Sequence, residues 1–429
     1  MECIEEAQKD EFDANEYLYS KTKNVLMEKG EGIYLIDSSG KRYIDCASAT
    51  FNLSLGYQNK QVIDHVKSQM DRLIHVTSSY MTPPISELAK KLAKLTPKGL
   101  DKIHLKVSSG SVANEGAIKM AQHLSGKKDI ISCYRSHIGQ TIFTSALSGN
   151  SFRRKPFPGN THGILHTPAP YCHRCPYNEK PETCSLLCAE VINDQVEHAS
   201  SGNVAAFIIE PIFGNGDNIV PPKKYMQAIR QICDSNDISL IFDEIQTGIG
   251  RTGHMFAADY YEVSPDIMTM AKGLGGTGFQ VAAIACKEKY TSMDAMHHTF
   301  TYGSNLLAAA AGVKTLEIVD NKEFLDNVKM TGDFIMKSLE RISEKHRFIS
   351  DVRGVGLMIG FEISKADGSP DVELTNKLAD LFFSNGIILR TSRYGRGNVL
   401  KIRPPLTLTI DEAIMIVDTI EMTLDQNFR

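Results

Sequence analysis

Little in this chain points to a charged polymer or a membrane as its partner. Its 47 lysines and arginines face 51 aspartates and glutamates, a formal net charge of −4. Without a basic excess there is no electrostatic footprint for a phosphate backbone, which argues against nucleic-acid binding as the main function. No apolar run approaches the roughly 20 residues needed to cross a bilayer, and the N-terminus lacks the pattern of a secretory signal. A soluble cytoplasmic protein is therefore expected. Nine cysteines, an odd number in 429 residues, fit reduced thiols better than a disulfide framework. No repeat or low-complexity tract stands out. What is there is ordinary in bulk, 42% hydrophobic and 23% charged, with length for two or three domains and a large core. Residues 1–20 carry seven acids by Glu16 and read as a solvated terminal segment.

The informative stretch runs from Ile238 to Gly276. Ile238-Ser239-Leu240-Ile241-Phe242 has the unbroken apolar character of a buried strand and stops on Asp243. Ile267-Met268-Thr269-Met270-Ala271 does the same and stops on Lys272, followed by Gly273, Gly275 and Gly276. Val204-Ala205-Ala206-Phe207-Ile208-Ile209 ends on Glu210, and Ile130-Ile131-Ser132-Cys133 leads into Tyr134 to His137. In an open α/β sheet, ligands bind beyond the carboxyl ends of the strands, so four strands deliver polar residues to one edge. An amine and an acid arriving there suit pyridoxal 5′-phosphate (PLP). Lysine forms a Schiff base with it, and aspartate holds the pyridine nitrogen protonated.

The run from Asp243-Glu244-Ile245-Gln246-Thr247-Gly248 to Arg251-Thr252-Gly253, with Ala271-Lys272-Gly273 beyond it, resembles the signature of class III PLP-dependent aminotransferases. These are the ornithine, acetylornithine and 4-aminobutyrate enzymes and their ω-amino relatives, of PLP fold type I. The resemblance extends from about Gly32 to Leu408. It implies an α/β fold with a large domain, built on a mostly parallel central sheet flanked by helices, and a smaller α+β domain from the two chain ends. The expected divisions are 1–55, packing with the small domain, 56–315, binding PLP, and 316–429, the small domain. A homodimer with shared active sites is also implied.

Residue by residue, the resemblance gives Lys272 and Asp243 the catalytic roles and Gln246 a bond to the ring's phenolic oxygen. Ser108-Ser109-Gly110-Ser111 opens a helix whose free N–H groups and dipole suit a phosphate, with Gly110 and Ser111 at the family's binding positions. Val112 stands where the family usually has glutamate. His137 replaces the tyrosine that stacks on the ring, and Glu210 is expected to shape the pocket. Thr301, in Thr301-Tyr302-Gly303, corresponds to a threonine donating to the phosphate of the other subunit, and Tyr80 to a segment reaching the neighbouring site.

On the substrate side, Ala49-Thr50-Phe51-Asn52 replaces a glycine-rich loop, placing Phe51 in the pocket. The arginine that relatives use for the α-carboxylate aligns with Lys401, which cannot make the two-pronged contact. Arg403, on the same face of an extended segment, is the expected substitute. These departures suggest a main substrate other than an ornithine-type amino acid: a primary amine, terminal or on an amino sugar, exchanging its amino group with an oxo acid. Glutamate and 2-oxoglutarate are the shared partner that the resemblance implies. A racemase, epimerase or phospho-lyase on the same scaffold is the alternative.

Cys172, Cys175, Cys184 and Cys188 have the spacing C-x2-C-x8-C-x3-C, which suits zinc or an iron–sulfur cluster. The competing reading makes Leu186, Leu187 and Cys188 the buried side of a helix start, with no metal bound, and it is the one we favour. A non-catalytic metal-binding interaction protein would be built on these thiols, but it would have no use for the lysine that is present as Lys272.

Overall fold

In the computed structural model, which describes residues 25–157 and 162–428, the fold is carried by three sheets. The acid-rich segment 1–20 lies outside the described residues. Near the N-terminus, β1 (Met27–Glu31), β2 (Tyr34–Asp37) and β3 (Arg42–Asp45) form an antiparallel meander. Asp37 closes its turn, its carboxylate accepting from the backbone of Ser39 and Lys41, both at 3.0 Å.

The central sheet has seven strands: β4 (Lys102–His104), β5 (Asp129–Cys133), β6 (Ile164–Thr167), β7 (Val204–Ile209), β8 (Ser239–Asp243), β9 (Ile267–Met270) and β10 (Ala283–Cys286). Their spatial order is β4-β10-β9-β8-β7-β5-β6. The run from β6 to β9 is parallel, and β10 pairs antiparallel with both β9 and β4. Every residue of β5, β7, β8, β9 and β10 is buried, which is why these strands read as unbroken apolar runs. Helices Gly110–Ser125 and Lys223–Ser235 contribute Ala113, Ala117 and Ala121, and Tyr225, Met226 and Ile229, to the layers on the sheet. The helix Pro83–Leu95 opens on two prolines, which at its first positions sacrifice no hydrogen bond.

The last sheet is antiparallel: β11 (Ile349–Val355), β12 (Met358–Ile363), β14 (Arg390–Thr391) and β15 (Val399–Ile402), in the order β11-β12-β15-β14. Between them in sequence, β13 (Ile387–Ile388) leaves this sheet and pairs parallel with β3, joining the N-terminal meander to the C-terminal part of the chain. A core of its own, including Ile33, Ile44, Ile335, Leu339, Phe361, Phe382 and Ile420, gathers residues from both ends of the sequence. No helix among the described residues is long and apolar enough to cross a membrane.

Glu362, in β12, ties this part to the cysteine-bearing insertion. Its side chain is fully buried and accepts from Tyr171 Oη, from Arg174 Nε at 2.5 Å, from Arg353 Nη1 at 2.9 Å and from Asn398 Nδ2 at 3.1 Å. Burial opposes its ionisation, but Arg353, Tyr171 and Arg174 prevail and hold the carboxyl down at about 2. A folded-state value below the unfolded one stabilises the fold fully above the ordinary 4.5, a contribution that fades as pH falls toward 2. Glu362→Gln should leave Arg353 and Arg174 short of charge compensation and cost about 3–5 kcal/mol in urea unfolding at neutral pH. A loss below 1 kcal/mol would show the network to be dispensable.

Candidate active site

Strand ends build the site. Asp243 is the last residue of β8, Glu210 follows β7, and Lys272 follows β9 with one residue between. All three line a single cavity of ≈ 440 Å³, together with Gly110, Ser111, His137 and Gln246. A second cavity of ≈ 530 Å³ is lined by Lys272, Gln246 and His137 as well, and by Phe51, Asn215, Arg390, Tyr394 and Lys401 from the surrounding loops and the last sheet. The lysine amine thus stands where the two spaces meet.

Charge in this region is buried and mutually balanced. Burial lowers the Lys272 amine to about 8, while Asp243 and Glu210 act against that fall. Both acids are pushed above the ordinary carboxylate range, chiefly by burial. Asp243 Oδ2 accepts from Asn114 Nδ2 at 2.8 Å and Oδ1 from the Ile245 N–H at 3.1 Å. Glu210 accepts from the N–H of His137 at 2.7 Å and of Gly214 at 3.0 Å. The neighbouring Glu244 serves the fold instead: it accepts from Ala257 N, Ala258 N and Thr247 Oγ1, capping the short helix Ala257–Tyr261.

Asn114 was not singled out in the sequence. It is fully buried on the helix Gly110–Ser125, donates to Ile138 O at 2.6 Å and accepts from Thr269 Oγ1 at 2.7 Å. One amide therefore links Asp243, β9 and the loop carrying His137. The available signal was an asparagine beside the apolar face marked by Ala113 and Ala117.

Arg403 is among the largest fully buried side chains. Its Nη1 donates to Gln246 Oε1 at 2.7 Å, and its Nη2 to Gly214 O at 2.7 Å and Asn218 Oδ1 at 2.5 Å. It lines neither cavity, so the structure places it behind Gln246 and not at the position expected for a carboxylate contact. Because arginine only donates, Gln246 must present its oxygen to it, leaving the Gln246 amide N–H groups for the cavity. Gly214 makes this possible, since a Cβ there would lie 2.0 Å from Gln246 Oε1. The Phe51 ring lies over both cations, 4.5 Å from Arg403 Cζ and 5.3 Å from Lys401 Nζ.

Tyr80 and Thr301 are not brought to these cavities. Tyr80 is 68% exposed beside a separate groove with Val76, Met81 and Leu306. Thr301 is exposed on a turn pinned to Leu105 and Lys106 by backbone bonds from Phe300 and Ser304. Cys172, Cys175, Cys184 and Cys188 all border one small apolar cavity and all are free thiols. Among the described residues no three His, Cys, Asp or Glu side chains are gathered closely enough to hold a metal ion. The expected buried helix start is corrected: Leu187 opens the helix Leu187–Asp194 but is 42% exposed, Leu186 and Cys188 are half-buried, and Ala189 and Ile192 form the buried side.

The first cavity fits PLP on its own chemistry. Ser109 caps the helix, its Oγ accepting from Val112 N, so the N–H groups of Gly110 and Ser111 have no intrahelical acceptor, and both residues line the cavity. A side chain at Gly110 would meet Ile245 Cδ1 at 2.8 Å. Burial, Lys272, Arg153 and Lys401 hold the His137 imidazole down at about 3, so it is neutral, and its buried Nδ1 has no partner.

Asn114→Ala should remove the amide from Asp243 and Thr269 together and lower stability by about 2 kcal/mol, read as a shift in the thermal midpoint. An unshifted midpoint would show that Asp243 is held by other groups.

Comparison with known proteins agrees with this geometry. Residues 17–424 match the family model described as Aminotransferase class-III. The chain is 34% identical to a leucine/methionine racemase of Thermococcus litoralis, over 91% of this chain and 89% of that protein. It is also 34% identical to an acetylornithine aminotransferase of Caldanaerobacter subterraneus, over 92% and 94%. Among solved structures, an amine transaminase of an uncultivated Pseudomonas species in its PLP-bound form superposes with a TM-score of 0.87 at 26% identity, covering 94% and 95%. The ω-transaminase of Pseudomonas jessenii gives 0.89 at 28%, covering 95% and 96%. The chain belongs to the class III aminotransferases, with the fold type I architecture of that family and pyridoxal 5′-phosphate as its cofactor.

Proposed function

We propose that the protein moves an amino group between a primary amine and an oxo acid such as 2-oxoglutarate, with Lys272 as the proton carrier. The observation that carries this reading is the place of Lys272, an amine lowered to about 8 at the junction of a cofactor-sized cavity and a substrate-sized one. When bound, PLP supplies the electron sink that lets a carbon–hydrogen bond beside nitrogen ionise.

Each side chain then has a task. Asp243, held by Asn114 and the Ile245 N–H, keeps a proton on the pyridine nitrogen. The Gln246 amide, oriented by Arg403, donates to the phenolic oxygen. Gly110 and Ser111 hold the phosphate at the helix start, and neutral His137 covers the ring face. Glu210 fixes the His137 backbone. Lys272, a buried amine of lowered proton affinity, would take the proton from the substrate carbon and return it one position away. Phe51 and Lys401 face the substrate, and burial of the region excludes water from the exchange.

Residues 56–315 hold the cofactor in this reading, and residues 316–429, joined by 1–55, close the substrate cavity. Thr301 and Tyr80 act in a neighbouring subunit of a cytoplasmic homodimer, which accounts for their exposure and their distance from this chain's own cavities. The similarity to the T. litoralis racemase supports a second reading, racemisation or epimerisation of an amino acid with the same lysine.

Incubation with candidate amines and 2-oxoglutarate separates the two: transamination makes glutamate, whereas racemisation exchanges the Cα hydrogen for deuterium without glutamate. Lys272→Ala should lose the visible absorbance of the loaded enzyme and at least about 10³ in kcat, the scale of a lost acid–base group. Full turnover in that variant ends the proposal. The free amine is the nucleophile, so the absorbance should return to cofactor-stripped protein faster as pH rises, with half the maximal rate near pH 8. A midpoint near that of an ordinary lysine would show that Lys272 is not desolvated.

A further inference from the structure

Basic side chains outnumber acids on the wall of the second cavity: Lys272, Arg390 and Lys401 against Asp380. Arg390 and Lys401 are directly opposite across the antiparallel ladder of β14 and β15, and both line the cavity. Like charges in that relation repel, and Lys401 is only 2% exposed, so water does little to separate them. Among the described residues neither side chain enters an ion pair. Nearby acids are engaged elsewhere. Asp217 is bonded by Arg135, Arg393 and Ser392, and Glu210 by the N–H groups of His137 and Gly214. Asp380, on the same wall, has an interaction of its own. Arg390 makes a hydrogen bond only to a neutral group, from Nη1 to Thr50 Oγ1 at 3.2 Å.

A third donor lines the same space. Asn215 is 4% exposed, and its Nδ2 is buried without a partner. Arg390, Lys401 and the Asn215 amide therefore share one cavity, whose lining carboxylate, Asp380, is already engaged. Buried donors and charges left this way are costly unless something completes them.

We propose that Arg390 is the specificity-determining residue of a carboxylate subsite, formed with Lys401 and the Asn215 amide. This rests on the transaminase reading above and narrows it: the molecules processed carry a carboxylate, as oxo acids and amino acids do, with the reacting carbon toward Lys272. Arg390 supplies the planar pair of N–H groups that Lys401 lacks, and Lys401 adds a point charge. A sugar amine without an acidic group would leave these donors unmatched.

The test uses glutarate, a dicarboxylate with neither amino nor oxo group, titrated calorimetrically into the PLP-loaded enzyme. Arg390→Gln should weaken glutarate binding about tenfold or more, as expected for a lost charged hydrogen bond, and Arg390→Lys should recover part of it. The KM for 2-oxoglutarate should rise in parallel, with kcat changing less. Asn215→Asp, which sets a carboxylate among the donors, provides an independent arm if Arg390→Gln does not fold, and should abolish glutarate binding. Undiminished affinity in either folded variant, or no binding to the unaltered enzyme, overturns the subsite. Glutarate binding that depends on Arg390 without glutamate formation upholds the subsite and sinks the transaminase reading. Glutamate formation with Arg390-independent binding does the reverse.

Discussion

A lysine amine held out of water between carboxylates is the constraint on which the rest of this structure depends. Alone, a buried ammonium is among the costliest groups a protein can hold. Here Asp243 and Glu210 limit the fall in its proton affinity while burial drives it, and the outcome, about 8, lies near the pH at which a base must operate. The arrangement needs rigid support, which the parallel strands provide. β7, β8 and β9 are buried along their whole length and present their ends at one edge, so small shifts of one would open a packed core. The backbone is strained where this matters. Lys272 itself has φ +40°, and Ser48, Ala49 and Phe51 have φ of +44°, +56° and +64°. None is glycine, and each such residue costs on the order of 1–3 kcal/mol. Asp45 holds the strained loop by accepting from Ala47 N and Ala49 N, and Ser48 Oγ donates to Arg403 O.

That loop explains how distant parts of the chain meet at the cavity. Arg403 bonds Gln246, Gly214 and Asn218, while Asn218 Nδ2 donates to Arg353 O and Met358 O. Arg251, from the segment after β8, donates to Leu357 O and Pro404 O. Both arginines are buried against carbonyl and amide oxygens, and burial lowers each to about 9. With neutral partners around it, the Arg403 charge reaches the Lys272 amine and helps lower it.

The strands were legible because burial on both faces removes the polar alternation, leaving runs such as Val204–Ile209 that end abruptly on an acid. The Asp243 and Lys272 pairing was legible for the same reason, since the end of an apolar run marks the end of a strand. What the sequence concealed depends on which way a side chain turns. Lys401 and Arg403 share a face, as spacing two apart requires, and both lie against Phe51; yet only Lys401 opens to the cavity, because Gln246, Gly214 and Asn218 surround the other. Arg390 gave no local signal. Its importance comes from lying opposite Lys401 on a two-residue strand, a long-range register that periodicity cannot show. The cysteine spacing suited a metal, but spacing constrains the backbone alone and says nothing of the bonds from Arg174 and Tyr171 to Glu362 that tie the insertion to β12.

The same electrostatics weighs on the choice between transamination and racemisation. Lys272 and His137 both line the two cavities. Burial and the cations around His137 hold its imidazole near 3, so at neutral pH it carries no proton to deliver. Of Lys272 and His137, the titratable side chains that line both cavities, the lysine is the one whose proton affinity lies near neutral pH. Moving a proton between two atoms on one side of a planar ligand needs only one such group, and transamination is the reaction that asks for it. Between these two side chains the proton is the lysine's to carry, and the neutral imidazole is left to pack against whatever fills the cavity.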